Sequence, residues 1–589
     1  MSGAGTAHDW VSRMADELIA AADARDGAAG RGVGQRPIVC ASGLSPSGPI
    51  HLGNLREVMT PHLVADEIRR RGRTVDHLLS WDDYDRFRKV PLGVEGVDDS
   101  WAEHIGRPLS SVPAPRGSTH PNWAAHFRTA MAASLAELGV EFRGISQTQM
   151  YTSGAYRDSI LRAMRERATI DAILRQYRTK RSVAQGEGED PAELSEDELA
   201  AAQGSGAADE DDGSVAGGEY FPYKPYCGAC GRDTTTVTEY DEPSTTLSYH
   251  CGCGHQATMD LSRENHGKLV WKVDWPMRWA FEGVEFEPSG VDHSSPGSSY
   301  VVGGQIVAPV FGGWQPIGPM YAFVGIAGKA KMSSSTGGVP TPADALEIME
   351  PQVLRWLYVR RRPNQSFTVA FNRDIHRMYD EWDALVRKVR AGKGQPADLA
   401  MVARSARTAA GELPRTPVPL PYRALCSVAD LTGGLDEGDE GRSAQQLRIL
   451  ASMDTAVASL EDTRPRLDKA ARWIATQADP EDRTVLRAEV DAALLASLGD
   501  HQRQALASLT DELEADWSLD GLTALVYGIP KRQAGLDVAE KKLPPEVKAD
   551  QRAFFALIYR LLLGADTGPR IPTLLLCAGP GRVRHLLGA

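Results

Sequence analysis

Four of the seven cysteines stand in two close pairs, within the stretches CGAC and CGC. The pairs are twenty residues apart and comprise Cys227, Cys230, Cys251 and Cys253. Two close pairs of thiols predict a tetrahedral four-thiolate site with no open position, which is the coordination of structural zinc. His250 and His255 flank the second pair, and either could replace one thiolate. A redox-active disulfide is the alternative.

A second candidate site begins in the turn SPSGPIHLGN, from Ser45 to Asn54. The turn joins an apolar run to a helical pattern, so it predicts a strand, a turn and a helix start. Backbone N–H groups and the positive end of a helix favour an anion such as a triphosphate. Taken alone, such a turn is more often plain architecture, and it lacks the pattern of a Walker loop. The expected ATP-binding residues here are Ser47, Gly48, His51, Gly53 and Asn54.

The stretch GKAKMSSSTGG provides a further turn suited to phosphate. A lysine followed by three hydroxyls, between glycines, suits a mobile loop whose ammonium stabilises charge developing on pyrophosphate. By itself the stretch fits a flexible surface loop equally well. The expected ATP-binding residues of this turn are Lys331, Met332, Ser333, Ser334 and Ser335. The expected catalytic residues are His51, Asn54 and Lys331, and we expect Mg2+ to accompany the ATP.

Alternating strand and helix patterns from residue 36 to about 145 must position these turns. The alternation predicts an α/β doubly wound fold, with ligands beyond the carboxyl ends of the strands. Strands are predicted at 37–44, 74–79, 267–273, 284–290 and 320–328.

The helix patterns complete this predicted fold. One helix is expected from near Asn54 to Gly72, with Pro61 bending or shortening it. Another has Asp274 as its N-cap, and a third opens at 294–296. From about residue 341 onward we predict helices and no strands.

Composition limits the class of protein. The chain has 589 residues, of which 42% are hydrophobic. No apolar run approaches the roughly 20 residues of a membrane span, and the N-terminus lacks an apolar signal core. We therefore expect a cytoplasmic enzyme without a membrane partner. The net charge of −13 comes mostly from eleven acidic residues between Glu187 and Asp212, which predict a disordered insert.

The two phosphate-binding turns together resemble the paired motifs of class I aminoacyl-tRNA synthetases. Residues 51–54 resemble the HIGH motif with Asn in place of the last His, and residues 331–335 resemble KMSKS with Ser at the fourth position. The stretches SGLSPSGPIHLGNLRE, WDDYDRFRKVP, WKVDWPMRW, FEPSGVDH and KMSSS occur in the order found in class I lysyl-tRNA synthetases. This resemblance covers most of the chain, apart from the first 30 residues and the acidic insert.

The resemblance implies a Rossmann-type catalytic domain with a zinc-binding insertion, followed by an all-α anticodon-binding domain. The implied domains are an N-terminal extension (1–30), two catalytic halves (31–182 and 263–340), an acidic insert (183–218), a zinc insertion (219–262), a stem-contact region (341–378) and a helical anticodon-binding domain (379–589). Arg355 and its basic neighbours are candidates for tRNA phosphate contacts. Those neighbours are Arg360, Arg361 and Arg362.

The resemblance also implies activation of L-lysine by ATP and its transfer to tRNA(Lys), by a monomer that needs tRNA to complete its site. It implies a lysine pocket formed by Gly43, Ser45, Trp271, His293 and Tyr321. Because the ammonium of lysine needs a carboxylate, we add Asp274 and Asp292 as candidates. Trp275 and Trp279, at helical spacing, are expected in the core.

Three other functions compete with this one. A glutamyl- or glutaminyl-type class I synthetase should carry a cation for its substrate. A small nucleotidylyltransferase would need neither the cysteine module nor a long helical domain. An inactive, synthetase-like RNA-binding regulator would be expected to lose His51 or Lys331, and both are present.

Overall fold

The computed structural model of the protein describes residues 9–184, 213–216, 218–293, 297–327, 339–433, 440–479 and 483–588. The predicted Lys331 turn, most of the acidic insert and the predicted helix start at 294–296 lie outside these residues. The chain divides into two compact units. The first contains residues 1–344, 355–369 and 394–413, and the second contains residues 345–354, 370–393 and 414–589.

Fifteen strands lie in the described residues, all of them in the first unit. In chain order they are β1 (Ile38–Leu44), β2 (Val75–Trp81), β3 (Arg143–Ser146), β4 (Ser214–Ala216), β5 (Glu219–Phe221), β6 (Tyr223–Pro225), β7 (Thr235–Asp241), β8 (Thr246–Cys251), β9 (Gln256–Asp260), β10 (Gly267–Leu269), β11 (Val284–Phe286), β12 (Ser289–Gly290), β13 (Met320–Tyr321), β14 (Val324–Ile326) and β15 (Phe367–Val369).

Helices occupy most of the remaining described chain. In chain order they are α1 (Trp10–Ala28), α2 (Leu52–Arg70), α3 (Trp123–Glu137), α4 (Gln147–Thr152), α5 (Arg157–Arg165), α6 (Arg167–Ala184), α7 (Trp271–Glu282), α8 (Ser299–Ile306), α9 (Pro342–Ile348), α10 (Pro351–Val359), α11 (Ile375–Arg390), α12 (Pro396–Ala406), α13 (Tyr422–Leu431), α14 (Glu440–Met453), α15 (Arg466–Thr476), α16 (Ala492–Ser497), α17 (Asp500–Glu512), α18 (Leu519–Gln533), α19 (Pro545–Leu563), α20 (Ile571–Ala578) and α21 (Pro580–Leu587).

The first unit is built on a parallel four-stranded sheet in the order β11-β1-β2-β3. Nearly every residue of β1 is buried, as expected for a strand with neighbours on both sides. The last residues of β1 and β2 stand in register, with Leu44 opposite Trp81. The turn after β1 and the acidic residues after β2 therefore leave the sheet at one edge, where ligands of open α/β sheets bind. The parallel sheet and the helical C-terminal region confirm the predicted fold class.

Three elements differ from the sequence-based prediction. The predicted strand at 267–273 ends at Leu269, and the segment WKV instead begins helix α7. The N-cap of α7 is therefore Val270, and Asp274, the predicted N-cap, lies inside the helix. Helix α2 starts at Leu52 and continues through Pro61 to Arg70, so the proline does not shorten it. Strand β15 lies beyond residue 341, where we expected none, and it pairs in parallel with β14.

The second unit is helical, and its core contains a buried ionic cluster. Arg466 is 2% exposed, and its Nε lies 2.6 Å from Oε2 of Glu350. Its Nη1 lies 2.9 Å from Oδ2 of Asp383. The stacked rings of Tyr379 and Tyr422, with centroids 4.0 Å apart, belong to the same core. Helices from three parts of the unit are thus joined by charges that solvent does not reach.

Candidate active site

The predicted ATP turn leads directly into helix α2, and His51 is its N-cap. The N–H of Gly53 donates to Nδ1 of His51 at 3.1 Å, and the N–H of Asn54 donates to the His51 carbonyl oxygen at 3.0 Å. Burial lowers the pKa of His51 to about 4, so the ring is neutral at pH 7. With Nδ1 accepting, the ring proton is assigned to Nε2. His51 therefore offers a neutral N–H donor rather than a positive charge.

Both described flanks of the Lys331 turn are anchored in the first unit. Before the turn, the N–H of Ala327 donates to the carbonyl oxygen of Val369 at 3.1 Å. After it, the carbonyl oxygen of Pro340 accepts from the N–H of Leu52 at 3.1 Å. Leu52 follows His51, so the chain leaving the second predicted motif meets the helix start that carries the first. The positions of Lys331 to Ser335 themselves lie outside the described residues.

Arg56, one turn into α2, is a site residue that the sequence analysis missed. Its guanidinium is buried and donates to the carbonyl oxygens of Ala322 at 3.0 Å and Arg362 at 2.7 Å. It also lies over the ring of Phe367, 5.2 Å from the centroid. Burial lowers the pKa of Arg56 to about 10, so the side chain stays charged at pH 7. Arg56 thus joins α2 to one chain segment before the Lys331 turn and one after it.

Beneath the predicted lysine pocket, Glu57 links two of its expected residues. The N–H of Gly43 donates to Oε1 of Glu57 at 3.3 Å, and the hydroxyl of Tyr321 donates to Oε2 at 3.2 Å. A Cβ added to Gly43 would lie 3.6 Å from Oε1 of Glu57 and 3.9 Å from Oδ2 of Asp82. Gly43 therefore leaves room for two carboxyl groups to approach the strand.

Glu57, Asp82 and Glu287 form what we call the acidic cluster. Burial raises the pKa of Glu57 well above its usual range, and the charges of Glu287 and Asp82 add to this effect. Burial likewise raises the pKa of Asp82 to about 6 and that of Glu287 to about 7. Three neighbouring carboxyl groups cannot all ionise cheaply, so the cluster is suited to a ligand that brings positive charge.

A row of indole rings lines α7 beside this cluster. The rings of Trp271 and Trp275 stack with centroids 5.1 Å apart, and Trp275 lies 5.8 Å from the ring of His293. Trp279 is 1% exposed, and its Nε1–H donates to Oε2 of Glu287 at 2.6 Å. Trp275 and Trp279 are buried as expected, whereas Trp271, at the helix start, is only partly buried.

The predicted ligand Asp274 is fully buried and already paired. Its Oδ1 accepts from the Tyr151 hydroxyl at 2.5 Å and from Nε of Arg278 at 3.2 Å. Nη1 of Arg278 continues to Oδ1 of Asp82 at 2.5 Å. Asp274 therefore orients Arg278, which in turn orients Asp82. Asp292 lies in the short 3-10 turn Val291–His293, and its side chain is outside the described part of the structure.

The remaining residues of the predicted turn lie along its course. Ser45 and Ser47 are exposed. Gly48 is buried, and a Cβ at that position would lie 3.3 Å from Cγ of Pro91. The exposed hydroxyls are open to a ligand, whereas Gly48 allows the turn to pack against a neighbouring loop.

The four predicted metal ligands come together in a separate module. All four sulfur atoms lie within 4.8 Å of one another, with Cys227 and Cys253 at 3.7 Å and Cys230 and Cys251 at 3.7 Å. Zinc–sulfur bonds of about 2.3 Å in a tetrahedron place sulfurs roughly 3.8 Å apart, so the spacing fits one ion. No disulfide joins them. Among the described residues, neither nearby histidine belongs to the cluster.

The basic residues proposed to contact tRNA differ in their surroundings. Arg361 and Arg362 are exposed, while Arg360 lies over the ring of Trp356, 4.2 Å from the centroid. Arg355 is fully buried and donates to the carbonyl oxygens of Leu138 and Arg404. The sequence-based suggestion that Arg355 contacts phosphate is therefore wrong, because its guanidinium is used inside the first unit.

Comparison with known proteins places the chain in a family. Residues 8–408 match the family described as tRNA synthetases class I (K). A lysine–tRNA ligase of Streptomyces coelicolor is 65% identical over 585 residues, covering 98% of each chain. A lysine–tRNA ligase of Pyrococcus horikoshii is 31% identical over 576 residues, covering 96% of each chain.

The five ordered motifs that suggested this resemblance all lie in the matched region. Among the residues that the structure describes, no helix is long and apolar enough to cross a membrane. From these matches we conclude that the chain belongs to the class I tRNA synthetases of the K family.

Proposed function

We propose that the protein activates L-lysine with ATP and transfers it to the 3' end of tRNA(Lys). In the first step, a lysine carboxylate oxygen attacks the α-phosphorus of ATP, and pyrophosphate leaves. In the second, a hydroxyl of the terminal tRNA ribose attacks the carbonyl carbon, and AMP leaves. The observation that carries this proposal is the acidic cluster beside Gly43, at the same sheet edge as the His51 turn. Relatives named lysine–tRNA ligase, up to 65% identical, support it.

In this proposal, Glu57 and Asp82 receive the positive charge of the amino acid. Tyr321 holds Glu57 through its hydroxyl, and the ring of Trp271 provides an apolar wall for the four-carbon stem. Gly43, Ser45 and His293 complete the pocket, and Asp292 stays a candidate. We give Asp274 an indirect part, because its carboxylate is paired with Arg278.

The nucleotide lies over the start of α2 in this proposal. The neutral imidazole of His51 donates a hydrogen bond to phosphate, and Asn54 provides a second donor. Ser47, Gly48 and Gly53 shape the turn around the nucleotide. Residues 331–335 close over pyrophosphate, with the ammonium of Lys331 stabilising the charge that develops there. Mg2+ bound with ATP would neutralise phosphate charge.

We propose that the four cysteines hold a structural zinc ion. The sulfur spacing of 3.7 Å supports one ion with four thiolates. Elemental analysis of protein purified without chelator should find about one zinc per chain. Replacing Cys227 by Ser should lower that content, whereas replacing the buried Cys577, which is not part of the cluster, should not. Metal-free wild-type protein that is folded would contradict the proposal.

For tRNA, we propose that Arg360, Arg361 and Arg362 contact its phosphates and that the helical region 379–589 reads its anticodon. We also propose that the protein acts in the cytoplasm as a monomer, for which light scattering should give the mass of one chain.

The amino-acid substrate is tested by ATP–pyrophosphate exchange with a panel of amino acids, in the presence of tRNA(Lys). Exchange should depend on L-lysine and stay near background with L-glutamate or L-glutamine. A glutamate side chain would bring another carboxylate to the acidic cluster, which opposes the alternative specificity. Exchange with glutamate but not lysine would overturn the proposal. An absence of exchange with every amino acid would favour the RNA-binding regulator instead.

A further inference from the structure

The four-cysteine module begins and ends with the paired strands β6 and β10, which we call its base. This base contacts the segment that carries Asp82. In the base, β6 pairs antiparallel with β10, and Lys268 is the central residue of β10. Tyr226, which precedes Cys227, donates its hydroxyl hydrogen to the carbonyl oxygen of Tyr84 at 2.6 Å. Tyr84 follows Asp82 by two residues, so the module contacts the loop that leaves the carboxyl end of β2.

Buried charges extend this contact to the amino-acid pocket. The ammonium of Lys268 forms an ion pair with Asp85 and lies 3.5 Å from Oδ2 of Asp274. Arg278 bonds Asp274 and reaches Oδ1 of Asp82 at 2.5 Å. The five side chains form a continuous series of buried ion pairs, in the order Asp85, Lys268, Asp274, Arg278 and Asp82. Burial opposes ionisation of Asp85, but the charges of Lys268 and Arg278 hold its pKa below the usual range, so the pair is ionic at pH 7.

We infer that Lys268 is a positioning residue, which fixes Asp82 in the amino-acid pocket by joining the base of the four-cysteine module to the loop after β2. Lys268 acts through Asp85 and Asp274 rather than on the substrate. The inference rests on the proposed function, because the placement of Asp82 matters for affinity only when the pocket takes a cationic amino acid.

Removal of Lys268 could change the affinity for lysine in two opposite ways, through the loss of its charge and through the loss of its contacts. Loss of its positive charge makes the pocket more negative, so the field alone would tighten the binding of lysine. Loss of its contacts frees the loop of Asp82 and Asp85, which would weaken binding. A variant that keeps the net charge separates the two effects. Lys268→Met combined with Asp85→Asn removes one charge of each sign.

The test measures the affinity of the full-length protein for L-lysine and for ATP separately, by calorimetry or tryptophan fluorescence. The affinity of the double variant for lysine should fall about tenfold or more, because small displacements of a binding group are costly. Its affinity for ATP should stay within twofold of wild type. Lys224→Met is the matched control. Lys224 is the register partner of Lys268, and the acid that influences it most is Asp233. The control should keep lysine affinity.

Zinc content and melting temperature are measured on the same samples, to show that the module remains folded. Wild-type lysine affinity in the folded double variant would overturn the inference while leaving the proposed function intact. If the double variant does not fold, Lys268→Arg tests the inference instead. This variant keeps the positive charge and changes only the length and shape of the side chain. Unchanged lysine affinity in that variant would also overturn the inference. Wild-type protein that binds no lysine even with tRNA(Lys) present would instead overturn the proposed function.

Discussion

At the scale of single residues, the site depends on carboxyl groups held in a poorly solvated place. Glu57 is the residue through which Gly43 and Tyr321 are connected, and its pKa is raised by burial and by its acidic neighbours. Keeping such a group close to two others is unfavourable for the empty protein. A cationic substrate would relieve this cost, and we therefore expect the cluster to contribute to specificity.

We expect Glu57→Gln to weaken lysine binding at least about tenfold, because the amide keeps the shape but loses the charge that pairs with an ammonium. The KM for lysine in pyrophosphate exchange measures the effect, and the KM for ATP should stay within twofold. Glu282→Gln is the control, since Glu282 pairs with Arg143 in the same unit. An unchanged KM for lysine in Glu57→Gln would show that Glu57 does not bind the lysine ammonium.

The raised pKa values of the cluster predict that lysine binding releases protons. Burial raises the pKa of Glu287 to about 7, so this carboxyl group is partly protonated in the empty site at neutral pH. An incoming ammonium favours the ionised form, so binding expels protons, and affinity should fall as the pH drops from about 7 to about 6. Calorimetry at pH 7 in buffers of different ionisation enthalpy should show proton release. Buffer-independent heats would contradict it.

We expect His51→Ala and Lys331→Ala each to lower the exchange rate by roughly 100- to 1,000-fold, the usual effect of removing one preorganised donor. Because His51 also caps α2, His51→Asn serves as a control that keeps a capping oxygen while removing the ring N–H. Its melting temperature should match wild type although its rate is low. Either alanine variant with more than half of the wild-type rate would refute the assignment.

At the scale of elements, buried ion pairs connect segments that are far apart in sequence. In the second unit, Glu350 and Asp383 both pair with Arg466, and all three are buried. The chain around each is helical and is not specified locally to meet the others. Such clusters favour one arrangement of helices, since a misplaced helix would leave a charge unpaired.

Glu350→Ala should therefore destabilise the protein by about 3 kcal/mol or more, because it leaves the guanidinium of Arg466 with one carboxylate in a buried place. Urea unfolding followed by far-UV circular dichroism measures the change. Arg377→Ala breaks an exposed pair with Glu381 on α11 and should cost below about 0.5 kcal/mol. If the two variants lose similar amounts of unfolding free energy, burial of an ion pair does not determine its contribution to stability.

At the scale of the whole molecule, we expect tRNA to be part of the active enzyme. The flank of the Lys331 turn is bonded to the start of α2, so a tRNA contact that moves the turn would act where ATP is expected. A ligand that prefers the closed turn shifts the population toward it. Lysine-dependent exchange should be near background without tRNA and rise sharply when tRNA(Lys) is added.

Two further arms of this experiment complete the prediction. Deletion of residues 187–212 should leave the response to tRNA intact if the acidic insert is only a solvated segment. Tyrosine-specific tRNA is the control and should not stimulate exchange. Strong lysine-dependent exchange without any tRNA would disprove the coupling, although the lysine assignment would stand.

The sequence by itself determined the features that depend on local spacing. The turn before α2 and the two cysteine pairs are short patterns whose chemistry follows from neighbouring residues, and the structure contains both. The ordered motifs were sufficient for the family. The strand–turn–helix at β1 was predicted because strand and helix periodicities change within a few residues.

Only the tertiary structure decided which side chains meet across the chain. Glu57, Asp82 and Glu287 lie on different elements, and no local pattern indicates that their carboxyl groups approach one another. Asp274 has the residue type expected of a ligand, but its burial against Arg278 gives it a different part. The segment WKV has strand-like residues, yet the stacking of Trp271 on Trp275 at helical spacing favours a helix. The acidic cluster and the bond from the Tyr151 hydroxyl to Asp274 join distant parts of the chain, and the ring contact at Trp271 forms only once the segment is helical, so single-residue preferences indicate none of them.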